Sequence, residues 1–67
     1  MPSLSRAKTY WRLDSLTCAL FTGGGAFELR LIDGDLTVQQ ERCGDSGEAF
    51  RKSREWFRTA LRAANRR

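Results

Sequence analysis

Residues 26–32, AFELRLI, alternate Phe27, Leu29 and Leu31 with Glu28 and Arg30, and Asp33-Gly34 follows at once. A period of two marks a strand with one buried face. Asp-Gly between alternating runs is a strong hairpin signal, because the turn needs residues that tolerate positive φ. Residues 35–42, DLTVQQER, then supply a partner strand with Leu36 and Val38 on one face. Upstream, residues 15–22, SLTCALFT, are rich in apolar and β-branched residues and stop at Gly23-Gly24-Gly25, which reads as a further strand.

The register follows by arithmetic. With Asp33 and Gly34 as the turn, Ile32 faces Asp35, Leu31 faces Leu36 and Leu29 faces Val38. With residues 22–25 as a four-residue loop, Phe21 faces Ala26, Leu20 faces Phe27, Cys18 faces Leu29 and Leu16 faces Leu31. Both turns put the same apolar residues inward, which points to an antiparallel meander with the 26–32 strand in the middle. The outward set is then Thr17, Ala19, Phe21, Glu28, Arg30, Ile32, Thr37, Gln39 and Glu41. The glycines run into a strand, whereas a phosphate loop runs into a helix whose free N–H groups hold the anion. They read as a hairpin tip that supplies positive φ.

After the sheet, Asp45 followed three residues later by Glu48 has the spacing of an acidic capping box, so a helix starts near Ser46. Ala49, Phe50, Ser53, Trp56, Phe57, Ala60, Leu61 and Ala64 fall at three- and four-residue spacings, with Arg51, Lys52, Arg54, Glu55, Arg58 and Arg62 opposite. The apolar stripe packs on the sheet, and the spacing of Phe50, Trp56 and Phe57 is that of core residues. The expected class is therefore α+β: a three-stranded antiparallel β-meander followed by one C-terminal amphipathic α-helix on one face. Tyr10, Trp11 and Leu13 are available for a short extra N-terminal strand. Residues 1–9 read as a flexible arm, 10–64 as one small domain and 65–67 as a flexible basic end.

The residue types present exclude several chemistries. There is no histidine, so a zinc site on Cys18 and Cys43 needs carboxylates to complete it, and a cysteine nucleophile lacks its usual base. The meander separates the two cysteines by two strand spacings, about 10 Å, too far for a disulfide. Asp33 and Asp35 are explained by the turn and Asp45 and Glu48 by the helix N-terminus. No enzyme, cofactor, metal or small-molecule substrate is expected. The 13 uncharged residues between Asp14 and Glu28 are too few to span a bilayer, and residues 1–12 lack a signal peptide's apolar run. With free thiols, the expectation is a cytoplasmic protein without membrane contact.

The net charge of +4 is unevenly placed. Residues 1–22 carry a net +2, residues 23–47 a net −3, and residues 48–67 a net +5. Clustered basic residues release phosphate counterions, so Lys8, Arg12, Arg51, Arg54, Arg58, Arg62, Arg66 and Arg67 are candidate nucleic-acid contacts. The order of elements, with GDSGEAFRKSREWFRTAL opening the helix, resembles the later part of double-stranded RNA-binding domains. The lysine pair of those domains corresponds here to Gly47 and Glu48. The same order looks like sheet-reading DNA-binding domains of the integrase-arm or plant ERF kind, whose open sheet face is basic. The outward set above is not basic, and no family is assigned.

A 67-residue chain buries a thin core, and one helix leaves a sheet face and the sheet edges bare. Ala19, Phe21 and Ile32 on that face are candidates for self-association. The expectation is a small non-enzymatic binding module acting as a homodimer, the alternative being a nucleic-acid binder that uses the basic helix and N-terminal arm.

Overall fold

The computed structural model describes residues 3–66. Four antiparallel strands in chain order form the sheet: β1 (Ser5–Leu13), β2 (Leu16–Gly23), β3 (Ala26–Asp33) and β4 (Leu36–Cys43). One helix, α1 (Ser46–Ala64), packs on one side. The α+β class and the meander are as expected, with a fourth strand in full. β1 is nine residues long and paired to β2, so residues 5–9 belong to the sheet and not to an arm. Its pattern is obscured by register slips between Arg6 and Lys8 and between Thr9 and Trp11. Each bulge advances the side-chain phase by one residue. Tyr10 and Trp11, adjacent in sequence, therefore both meet α1.

The glycine tip is tighter than expected. Gly23 pairs with Ala26, leaving Gly24 and Gly25 as a two-residue turn with φ of 58° and 80°. Positive φ at both positions is the requirement of a type I′ turn. A Cβ on Gly23 would sit 2.5 Å from the carbonyl oxygen of Ser3, so the first glycine is needed for close approach of the backbone. Leu20 thus faces Leu29 and Cys18 faces Leu31, each two residues from its expected partner. A slip of two keeps every side chain on its own face.

The β3–β4 connection is corrected by an odd number, and that matters more. Asp33 pairs with Leu36, Ile32 with Thr37 and Leu31 with Gln39, so the turn is Gly34-Asp35 and Val38 is the extra residue of a bulge. Beyond the bulge the faces are exchanged relative to the expected register. Gln39 and Glu41 lie on the helix side and Gln40 and Arg42 on the open side; Val38 is exposed, and Leu36 keeps the helix side but is 66% exposed at the end of the sheet. Leu36 and Cys43 both lie on the helix side although they are seven residues apart, an odd spacing that a regular strand would put on opposite faces. The bulge buries Cys43 against Leu20, Leu29 and Ala49 and leaves the Arg42 guanidinium in water. A regular strand would aim that charge at the core, at a high desolvation cost.

The sheet is a grid of cross-strand rows. On the helix side, from the glycine tip, run Ser5-Thr22-Phe27-Cys43, Lys8-Leu20-Leu29-Glu41, Trp11-Cys18-Leu31-Gln39 and Leu13-Leu16-Asp33-Leu36. On the open side run Arg6-Phe21-Glu28-Arg42, Thr9-Ala19-Arg30-Gln40 and Arg12-Thr17-Ile32-Thr37. The core sits under the centre of the helix side, where Cys18, Leu20, Leu29, Cys43 and Ala49 are buried together. α1 is anchored at its start: Asp45 accepts a hydrogen bond from the Glu48 N–H at 2.8 Å, and Glu48 accepts one from the Gly44 N–H at 2.9 Å. This is the expected capping pair, shifted so that the glutamate reaches one residue before the cap.

Candidate nucleic-acid interface

Helical geometry sets Arg51, Arg54, Arg58 and Arg62 in one stripe, since steps of three and four residues return to the same side of a helix. All four are exposed, and none makes an ion pair among the described residues. Arg66 follows just past the Asn65 cap and is exposed too. Arg67 lies outside the described residues. Lys52, by contrast, is paired with Glu41 on β4, and its pKa is raised chiefly by that hydrogen bond. Of the two candidate contacts on β1, Arg12 lies on the open side of the sheet and Lys8 on the helix side, its ammonium 5.8 Å from the Tyr10 ring centroid. The structure thus brings the helical arginines together and separates Arg12 from them by the thickness of the sheet.

Three of the eight acids are gathered elsewhere. The β1–β2 and β3–β4 turns meet at the end of the sheet opposite the glycines, where the Gly34 N–H donates to the Ser15 carbonyl at 2.9 Å and Ser15 Oγ donates to Asp33 Oδ1 at 2.5 Å. Asp14, Asp33 and Asp35 share this tip, away from the middle of the arginine stripe.

Between the stripe and β1 lies an apolar groove of about 390 Å³, lined by Tyr10, Trp11, Phe50, Phe57 and Leu61 with Arg54 and Arg58 at its rim. Edge-to-face contacts form its floor, with Tyr10 and Phe50 centroids 5.8 Å apart and Trp11 and Phe57 centroids 5.3 Å apart. Trp11 Nε1 donates to the Ser53 carbonyl at 2.8 Å and locks the indole in place. Phe50 is 49% exposed, so it is not the core residue its spacing suggested, and Leu61 of the same stripe is 40% exposed. Groups nearest the helix axis, Ala49 and Ser53, are what the sheet buries instead.

On the open side Ala19 is fully buried and Ile32 is 8% exposed within the single chain. Of the three residues proposed for self-association, Phe21 alone offers surface, and it is flanked by guanidinium groups of Arg30 and Arg6, 4.3 and 5.6 Å from its centroid.

Both cysteines are unpaired and buried, Cys43 included although it ends β4. Burial pushes Cys18 up to about 12 and also raises Cys43, assisted there by Glu48. Neither is a thiolate near neutral pH, as a nucleophile must be. Among the described residues no group of three metal-ligating side chains occurs, and no helix is long and apolar enough to cross a membrane. Against known protein families, curated protein sequences and solved structures the chain has no match, so its functional reading rests on its own residues.

Proposed function

We propose that this chain is a small non-enzymatic module that binds nucleic acid through the phosphate backbone, with the outer side of α1 as the contacting surface. The observation that carries this reading is the stripe of Arg51, Arg54, Arg58 and Arg62, exposed and free of ion pairs among the described residues. Acids at i±3 or i±4 would pair with these arginines and offset their charge. Glu55 stands within those distances of Arg51 and Arg58 and pairs with neither. The stripe runs about 16 Å at 1.5 Å per residue. That length of duplex carries about five phosphates per strand. Two unpaired buried thiols fit a reducing compartment, and we place the module in the cytoplasm on that ground.

The test is fluorescence anisotropy with a labelled duplex at 50 and 200 mM salt. Four phosphate contacts give a slope near −3.6 in log K against log salt, from about −0.9 per contact. The Arg58→Glu, Arg62→Glu double variant should weaken binding at least tenfold while its melting temperature stays within a few degrees. Absence of binding at low salt, or an unchanged affinity in the variant, would sink the reading.

The groove favours a second reading, a homodimer. A core with few large buried side chains, a free β1 edge and half-exposed Phe50 and Leu61 at the same place are what a second copy would cover. Light scattering at several concentrations decides it, and a strict monomer at high concentration removes it.

A further inference from the structure

We propose that the open side of the sheet is a second, separate binding surface, and that its ligand is single-stranded nucleic acid. The inference shares its ligand class with the helix reading but rests on different residues. The bulge at Val38 and those in β1 collect Arg6, Arg12, Arg30 and Arg42 on this face against one acid, Glu28. That acid is already used. Its carboxylate, 12% exposed, accepts from Arg30 Nε at 2.6 Å. The remaining face is strongly cationic, as phosphate binding requires.

The same contact orients Arg30. With Nε held by Glu28, the guanidinium lies 4.3 Å from the Phe21 centroid, and no other hydrogen bond to this guanidinium occurs among the described residues. Its terminal nitrogens keep the fork geometry that grips a phosphate at two oxygens. Arg6 approaches the same ring, so an aromatic and two planar cations form one stacked cluster in the row that ends at Arg42. Base stacking on aromatic or guanidinium planes needs bases that are not already paired and stacked, which favours a single strand over a duplex.

The rest of the face suits such a ligand. Thr9, Thr17, Thr37 and Gln40 put uncharged donors and acceptors between the arginines. Ala19 and Ile32 form a closed floor with almost no apolar surface of their own. Successive rows lie about 7 Å apart along the strands, so Arg6 and Arg42, then Arg30, then Arg12 form steps that an extended backbone can follow. Stacking and charge without fixed base-edge contacts imply weak sequence preference.

The test compares a labelled twelve-residue thymidine strand with a twelve-base-pair duplex by anisotropy at 50 mM salt. Arg6→Gln, Arg42→Gln removes two exposed charges; it should weaken the strand at least tenfold and the duplex much less. Phe21→Leu should weaken the strand about tenfold with little effect on the duplex. Arg58→Glu, Arg62→Glu should show the reverse preference. If Phe21→Leu fails to fold, the arginine variant carries the test alone. The proposal is overturned if the strand does not bind, if the sheet variants leave it unaffected, or if both double variants weaken both ligands equally. It is also overturned if vesicles containing phosphatidylserine bind as tightly and with the same dependence on Arg6, Arg42 and Phe21. Loss of duplex binding alone, with strand binding intact and dependent on the sheet, would remove the helix reading and leave this one standing.

Discussion

The two sides of this sheet are built alike and covered differently. On each, the central strands β2 and β3 supply apolar residues and the edge strands β1 and β4 supply most of the polar ones. On the helix side Leu20 and Leu29 are sealed by α1; on the open side Ala19 and Ile32 are sealed without any further element of secondary structure. Neighbouring side chains close the open side, among them Arg30, which lies over Phe21 and is pinned by Glu28. Arginine stems can cover apolar surface while the charged heads stay in water. One layer of the protein is thus closed by a helix and the other by side chains that remain able to meet an anion. A small domain can solve a burial problem and present a binding surface with the same residues.

The largest test of this contrast is a matched pair of truncations. Leu29→Ala, at a fully buried site under the helix, should cost about 2–5 kcal/mol. Ile32→Ala should cost less, because flexible side chains collapse over a void more readily than a helix does. In a domain of this size each kcal/mol lowers the melting temperature by about 4–8 °C. Equal losses in thermal melts would show that the two layers are equally rigid and break the contrast.

Next in size is a change that touches both sides at once. Gly24, at φ 58°, sets the register on which both faces depend. Gly24→Val forces a β-branched residue into a left-handed conformation and should cost about 1–3 kcal/mol. Gly24→Asn, which tolerates that region, should lose less in the same melts.

Alkaline pH acts on the helix side alone, where both thiols lie. In the unfolded chain Cys18 ionises near its ordinary 9.0, and in the fold its value is about 12. A value raised by folding stabilises the native state fully below the unfolded value, and that contribution is lost as pH rises through the window from about 9 to about 12. Denaturant melts at pH 8 and pH 10.5 should show the loss, and Cys18→Ala should reduce it. A slope that persists undiminished in Cys18→Ala would contradict the assignment.

Smallest is the effect of deleting Val38. The residue is the bulge, so its removal leaves Thr37 opposite Ile32 and Gln39 opposite Leu31 in a regular ladder. Stability should change by under about 1 kcal/mol, since surface positions usually do. In the register without a bulge, the same deletion would move residues 39–43 by one position and turn Arg42 from one face to the other. Backbone NOEs between Leu31 and Gln39 distinguish the outcomes.

These last cases show where sequence reasoning reaches its limit. The strong alternation of residues 26–32, the Asp45-Glu48 pair and the periodicity of the helix were legible because local geometry alone explains them. β1 was legible only as a short strand open to Tyr10, Trp11 and Leu13, because two bulges break its alternation and place both Tyr10 and Trp11 on the helix. The basic helix stripe could be read from spacing. The basic sheet face could not, since its residues come from four strands whose phases are set by bulges. Expected with Gln39 and Glu41 outward, that face looked unfit for an anion; with Gln40 and Arg42 in their place, and Arg6 and Arg12 added by β1, it is cationic. The signal that could have found the bulge was the odd, seven-residue spacing of Leu36 and Cys43.

The most direct test of the claim that the bare face binds anions is an amide chemical-shift map of the isotope-labelled protein titrated with a thymidine strand. The account predicts perturbations concentrated at Arg6, Phe21, Arg30, Gln40 and Arg42, with the side-chain signals of Arg30 shifted as well. Perturbations confined to the groove residues Tyr10, Trp11, Phe50 and Leu61, or to the helical arginines, would contradict it.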